Sequence, residues 1–145
     1  MDDVGKLVAE IYECAGLFRK QGERVAAQSG QTQARWQVLS VVSGGSFTVP
    51  QIARRLGVTR QSVQRVANEL RKDDLVDFAA NPDHQTSQIV VISPKGKSIL
   101  TEITNNAKEY HQNLQASVGS TNVKRMRKDM QKINKQLKQI LNSQV

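Results

Sequence analysis

A chain of 145 residues is the length of one ordinary domain, and with 38% hydrophobic but only 4% aromatic residues its core must be aliphatic. The lone cysteine, Cys14, excludes an intramolecular disulfide and fits a reducing cytoplasm. No apolar run approaches the ~18 residues of a membrane span, and the acidic start MDDVGKLVAEIYE is not a signal sequence. The net charge of +8 points to a polyanionic partner.

In chain order, residues 3 to about 28 predict a helix with Val4, Leu7, Val8, Ile11, Ala15 and Phe18 on one stripe. Cys14 lies beside that stripe and is expected to be a packed, unreactive thiol. Ser29-Gly30 ends the helix, and Thr32 is set to cap a second one, ARWQVLSVV, which Gly44-Gly45 stops. A third helix opens at Thr48, with Gln51 at capping-box spacing and Pro50 in the first turn, where a missing N–H costs nothing. Gly57 turns the chain and Thr59 caps the next helix.

That helix, within VTRQSVQRVANEL (58–70), has two faces. Val63, Val66, Ala67 and Leu70 cluster on one side at 100° per residue. The other arc carries Arg60, Gln61, Gln64, Arg65 and Asn68, continued by Lys72, with its only acid, Glu69, at the edge. Solvated helix faces prefer Glu–Lys pairs; Arg, Gln and Asn are the side chains that bond bidentately to base edges.

LVDFAA and SQIVVIS, around the turn signal Asn81-Pro82-Asp83, predict a hairpin. Ser93-Pro94 starts a long helix with Ile99, Ile103, Ala107, Tyr110, Leu114 and Val118 at spacings of three and four. Gly119-Ser120 breaks it. The last segment spaces Val123, Met126, Met130, Ile133, Leu137 and Ile140 as a heptad stripe. A monomer of this size would struggle to cover the narrow stripes of its terminal helices, so a homodimer through them is expected.

Charge is unevenly spread. Residues 1–47 balance; 48–72 set Arg54, Arg55, Arg60, Arg65, Arg71 and Lys72 against Glu69 alone. Residues 73–93 hold Asp73, Asp74, Asp77 and Asp83 with no Lys or Arg. The segment from 94 onward is strongly basic, and Lys124, Arg125, Lys128, Lys132, Lys135 and Lys138 fall off the heptad stripe, as solubilising surface charges would.

The expected fold is mainly α with a small two-stranded β wing: a winged helix-turn-helix part (32–93) flanked by dimerisation helices (1–30 and 94–145) in one domain of 1–145. The run TVPQIARRLGVTRQSVQRVANELRKDDLVDFAANPDHQTSQIVVISPKG (48–96) resembles the MarR family of transcription regulators. The likeness lies in Ile52-Ala53, Leu56-Gly57-Val58-Thr59, the spacing to Val63, Arg65, Val66 and Leu70, Leu75-Val76, Asp83-His84 and Ile92-Ser93-Pro94-Lys95-Gly96. The resemblance implies a homodimer placing residues 59–72 of each copy in successive major grooves of a pseudo-palindrome. Arg60, Gln61, Gln64, Arg65 and Asn68 are then candidate base or phosphate contacts, Thr59 and Ser62 phosphate contacts at the helix start, and Arg54 and Arg55 backbone contacts.

Two positions depart from the family pattern. Members usually carry an arginine two residues after the wing-tip Asp, where this wing, Asp83, His84 and Gln85, has Gln85, so a strong cationic minor-groove contact is not expected. Asp74 stands where the family often has a Gly at positive φ, which Asp tolerates better than most residues. The resemblance also implies a small aromatic or anionic effector that releases DNA, and Arg35 and Trp36 would suit its pocket, by ion pairing and stacking; a surface Arg and a core Trp explain them equally well.

The two histidines, His84 and His111, lie far apart and join no cluster at metal-ligand spacing, and no phosphate loop or nucleophile elbow is present. No catalytic residue, metal or cofactor is expected. The expected protein is a cytoplasmic, sequence-specific double-stranded DNA-binding regulator, a repressor. The alternatives are a charge-driven architectural DNA binder and a dimeric interaction module that has lost DNA binding.

Overall fold

The computed structural model describes residues 1–83 and 86–143. In order the elements are α1 (Asp3–Ala27), α2 (Gln33–Ser43), β1 (Phe47–Thr48), α3 (Val49–Leu56), α4 (Arg60–Lys72), β2 (Val76–Ala79), β3 (Ile89–Ile92), α5 (Pro94–Val118) and α6 (Ser120–Ser143). They form two compact units, Met1–Ala107 and Lys108–Val145.

Local chemistry sets the helix boundaries in the first unit. Asp2, Thr32, Thr48 and Thr59 each accept a hydrogen bond from a first-turn backbone N–H, satisfying one of the donors a helix start leaves unpaired. At Thr48 the capping box is complete, because the Gln51 side chain accepts from the Thr48 N–H at 2.9 Å. α3 ends at Gly57, whose φ of 67° lies in the left-handed region, and the tight turn lets Thr59 start α4 two residues later.

The sheet is antiparallel in the order β1-β3-β2, with Val76 opposite Ile92 and Phe47 opposite Val90. It has one strand more than the two-stranded wing expected. Phe47–Thr48 is too short to show a period-2 pattern, and Thr48 serves at once as strand end and helix cap.

One face of this sheet and the inner faces of α2, α3 and α4 enclose Val38, Leu39, Val42, Ile52, Ala53, Val63, Val66, Leu70, Leu75, Val76 and Val90. Burying each large aliphatic here is worth about 1.5–3 kcal/mol over leaving it in water. The start of α5 presses against the segment that joins α4 to β2: a Cβ on Gly96 would stand 2.1 Å from the Leu75 carbonyl oxygen, so only glycine fits. Asp74, in that same segment, has φ 62°, the positive angle that the family resemblance implied.

The stripes of the long helices are covered unevenly. Ile103 and Ala107 of α5 are buried. On α1, Val4, Leu7, Val8 and Phe18 are exposed, and Cys14, expected to be packed, is exposed as well, because among the described residues of its own unit none covers that side of the helix. In the second unit Leu114, Val118, Met126, Met130, Leu137 and Ile140 are exposed, and α6 has no buried residue among those described. Gly119, at φ 101°, is the single residue between α5 and α6. Among the described residues no helix is long and apolar enough to cross a membrane.

Candidate nucleic-acid interface

The thirteen residues of α4 are anchored by Val63, Val66, Ala67 and Leu70, all buried. That anchoring turns Arg60, Gln61, Gln64, Arg65 and Asn68 outward, and all five are exposed. Among the described residues none of Arg54, Arg55, Arg60 and Arg65 forms an ion pair with a protein carboxylate, so their charge is directed at solvent. Arg54 and Arg55 stand in the last turn of α3, exposed beside the turn that starts α4.

At the start of α4 the Thr59 hydroxyl oxygen accepts from the Ser62 N–H at 3.1 Å, and the Ser62 hydroxyl donates to the Thr59 carbonyl at 2.8 Å. The Ser62 proton is therefore already used, while Thr59 keeps its own O–H to donate. The backbone N–H groups of the first turn and the helix dipole make this end attractive to an anion. One turn further on, Gln64 Nε2 donates to Asn68 Oδ1 at 2.9 Å. These two amides line a cleft of about 420 Å³ with Pro50, Arg71, Phe78 and Ser87, bounded by α3, α4 and the wing.

At the wing tip Asp83 is exposed, and its N–H donates to Asn81 Oδ1 at 3.0 Å, the local bond that makes an Asx turn. His84 and Gln85, the other wing-tip candidates, lie outside the described residues. The root of the wing carries a cation the sequence reading passed over. The Arg71 guanidinium lies 5.3 Å from the centre of the Phe78 ring, and its Nε is 3.7 Å from Asp77 Oδ1. Nothing in the sequence signals that place, because Arg71 meets Phe78 and Asp77 only once the turn at Asp74 folds β2 back beside α4.

Arg35 and Trp36, adjacent on α2, are engaged differently. Trp36 is buried, and Arg35 Nη2 donates to Asp73 Oδ2, tying α2 to the residue that caps the end of α4. That bond and the charge of Arg35 hold the Asp73 carboxyl below the usual carboxylate range, with Lys95 and Lys72 adding to the effect. Lys95 Nζ also donates to the Asp73 carbonyl at 3.1 Å, and Ser93 Oγ to the Asp74 carbonyl at 2.6 Å. The C-terminus of α4 is thereby fastened to α2 and to the start of α5. Among the described residues no cluster of His, Cys, Asp and Glu is arranged to hold a metal ion.

Comparison with known proteins matches this same region. Residues 29–85 fit the model of the MarR family. An uncharacterised protein of Mycobacterium tuberculosis is 56% identical over 106 residues, spanning 73% of this chain and 74% of its own length. Among solved structures, the M. tuberculosis transcriptional regulator MOSR in complex with DNA superposes with a TM-score of 0.72 at 22% identity, covering 90% of this chain and 95% of its own. CouR from Rhodococcus jostii, bound to p-coumaroyl-CoA, gives 0.76 at 17% identity, with 91% and 92% covered. At these identities the structural likeness is one of fold.

Proposed function

The chain belongs to the MarR family of transcription regulators, and from that premise we propose that it is a homodimeric repressor that reads a pseudo-palindromic DNA site with α4. One observation carries the reading: α4 turns two arginines, two glutamines and an asparagine outward from a fully buried apolar face, and among the described residues no carboxylate is paired to either arginine. Such a face suits phosphates and base edges far better than water. The DNA in the MOSR structure supports the same use of this fold.

In this reading 32–93 is the DNA-binding part, and 1–30 with 94–145 form the dimerisation part of a single domain. The uncovered apolar stripes of α1, α5 and α6 support a second copy as their cover. Repression follows from occupancy, because a dimer filling two adjacent major grooves excludes other proteins from that DNA. CouR's p-coumaroyl-CoA supports an aromatic or anionic effector for this chain too, with Arg35 and Trp36 as its candidate contacts. An anion there would have to displace the Asp73 carboxylate from Arg35.

Selection from a random duplex library with purified protein at near-physiological salt tests the proposal. Enrichment of an inverted repeat with half-sites about ten base pairs apart is the expected result. Binding that is steeply salt-dependent and enriches no sequence would overturn it. The exposed cations of α6 would then favour a charge-driven architectural binder.

A further inference from the structure

The hydrogen bond between Gln64 and Asn68 restricts what Gln64 can read, an inference that rests on the DNA-reading function proposed above. A free glutamine amide offers two N–H donors and a carbonyl acceptor, so it can donate twice, accept twice or do one of each. In this helix one N–H of Gln64 is already given to Asn68 Oδ1, at 2.9 Å and four residues away on the same exposed face. What remains is one N–H and the carbonyl oxygen. In the major groove that pair matches adenine, whose N7 accepts and whose N6 amino group donates. It matches guanine poorly, since N7 and O6 both accept, and cytosine offers only a donor.

We infer that Gln64, held by Asn68, reads an adenine in each half-site, with Asn68 acting as a positioning residue that makes no base contact of its own. The arginines beside it, Arg60 and Arg65, pair with no carboxylate among the described residues and keep their forks for guanine or phosphate. The cleft that Gln64 and Asn68 line, about 420 Å³ with Pro50 on one wall and Arg71 and Phe78 on another, leaves room in front of the amides for the edge of a base. Preorganisation also favours the contact, because one of the two long amide side chains has already lost its rotamer freedom before DNA arrives.

The test uses the full-length protein and the operator that selection enriches, with each adenine replaced in turn by 7-deazaadenine, which lacks the N7 acceptor. One adenine per half-site should weaken wild-type binding by about 3- to 10-fold when so replaced, the value of one hydrogen bond. Gln64→Ala should bind the normal and modified operators equally at that position. Asn68→Ala should lose most of the discrimination. Asn68→Asp keeps an acceptor for the Gln64 N–H and should retain it, while its added charge lowers affinity for all duplexes alike. All three changes are at exposed positions, and unchanged thermal melting confirms folding.

Discrimination that survives in Gln64→Ala overturns the inference. So does an Asn68→Asp variant that loses it as fully as Asn68→Ala. Either result leaves the operator, and with it the broader function, standing. Failure to enrich any operator overturns both.

Discussion

In α4 the apolar residues Val63, Val66, Ala67 and Leu70 are each no more than 6% exposed, whereas in α6 Met126, Met130, Leu137 and Ile140 are each at least 38% exposed. Both helices write an apolar stripe at helical spacing and a polar remainder. The first stripe finds its partner within the chain, under α2, α3 and the sheet. The second finds none among the described residues of its own unit. Amphipathic spacing therefore specifies that a face will be covered, not by what. The same pattern supports a folded domain in one place and the proposed subunit interface in the other.

The comparison is most sharply tested by matched truncations. Leu70→Ala should cost about 2–5 kcal/mol in urea unfolding of the first unit, by loss of buried contacts and the cavity left behind, irrespective of protein concentration. Leu137→Asp should leave the winged part folded and raise the dimer dissociation constant by about 100-fold or more, read by analytical ultracentrifugation, because a dimer would desolvate the new charge twice. If sedimentation shows the wild type to be a monomer at micromolar concentration, the contrast between the two helices needs another explanation.

Smaller effects sharpen the picture at the end of α4. Asp74→Gly should stabilise the protein by about 0.5–1 kcal/mol, since glycine adopts the observed φ of 62° without the Cβ clash; differential scanning calorimetry would read the gain. Asp73 is held below its ordinary range by Arg35, so its pairing stabilises the fold above the unfolded-state pKa and is lost as pH falls through the lower folded value. Asp73→Asn should therefore flatten the acid limb of the stability curve below about pH 4 while leaving the alkaline limb unchanged. An acid limb identical to wild type would show that the pair adds no pH dependence.

Much of this was legible in the residues because local chemistry dictates it. Caps at Thr32, Thr48 and Thr59, the left-handed Gly57 and the two faces of α4 follow from spacing and side-chain type alone. What escaped were contacts made across the chain. β1 is too short to announce itself, and its pairing with β3 depends on residues some forty positions away. The pairing of Arg35 with Asp73 could not be read, because the two are 38 positions apart and are brought near only by packing. Cys14 read as packed because it lies beside the apolar stripe of α1, although among the described residues of its own unit none covers it. Arg71 gave no sign of its place over Phe78 until the turn at Asp74 folded the strand back.

The fastening at Asp73 and Asp74 has a mechanical side. Arg35, Lys95 and Ser93 grip α4 at its last residues, while the residues proposed to read DNA begin at the other end, thirteen positions earlier. At 1.5 Å per residue the helix is roughly 20 Å long, so a swing of about 5° at the gripped end carries Thr59 nearly 2 Å. A hydrogen bond does not survive that displacement. The grip at one end and the buried face of Val63, Val66, Ala67 and Leu70 along its length thus hold α4 as a stiff rod, so that no tilt large enough to lose a groove leaves the core undisturbed.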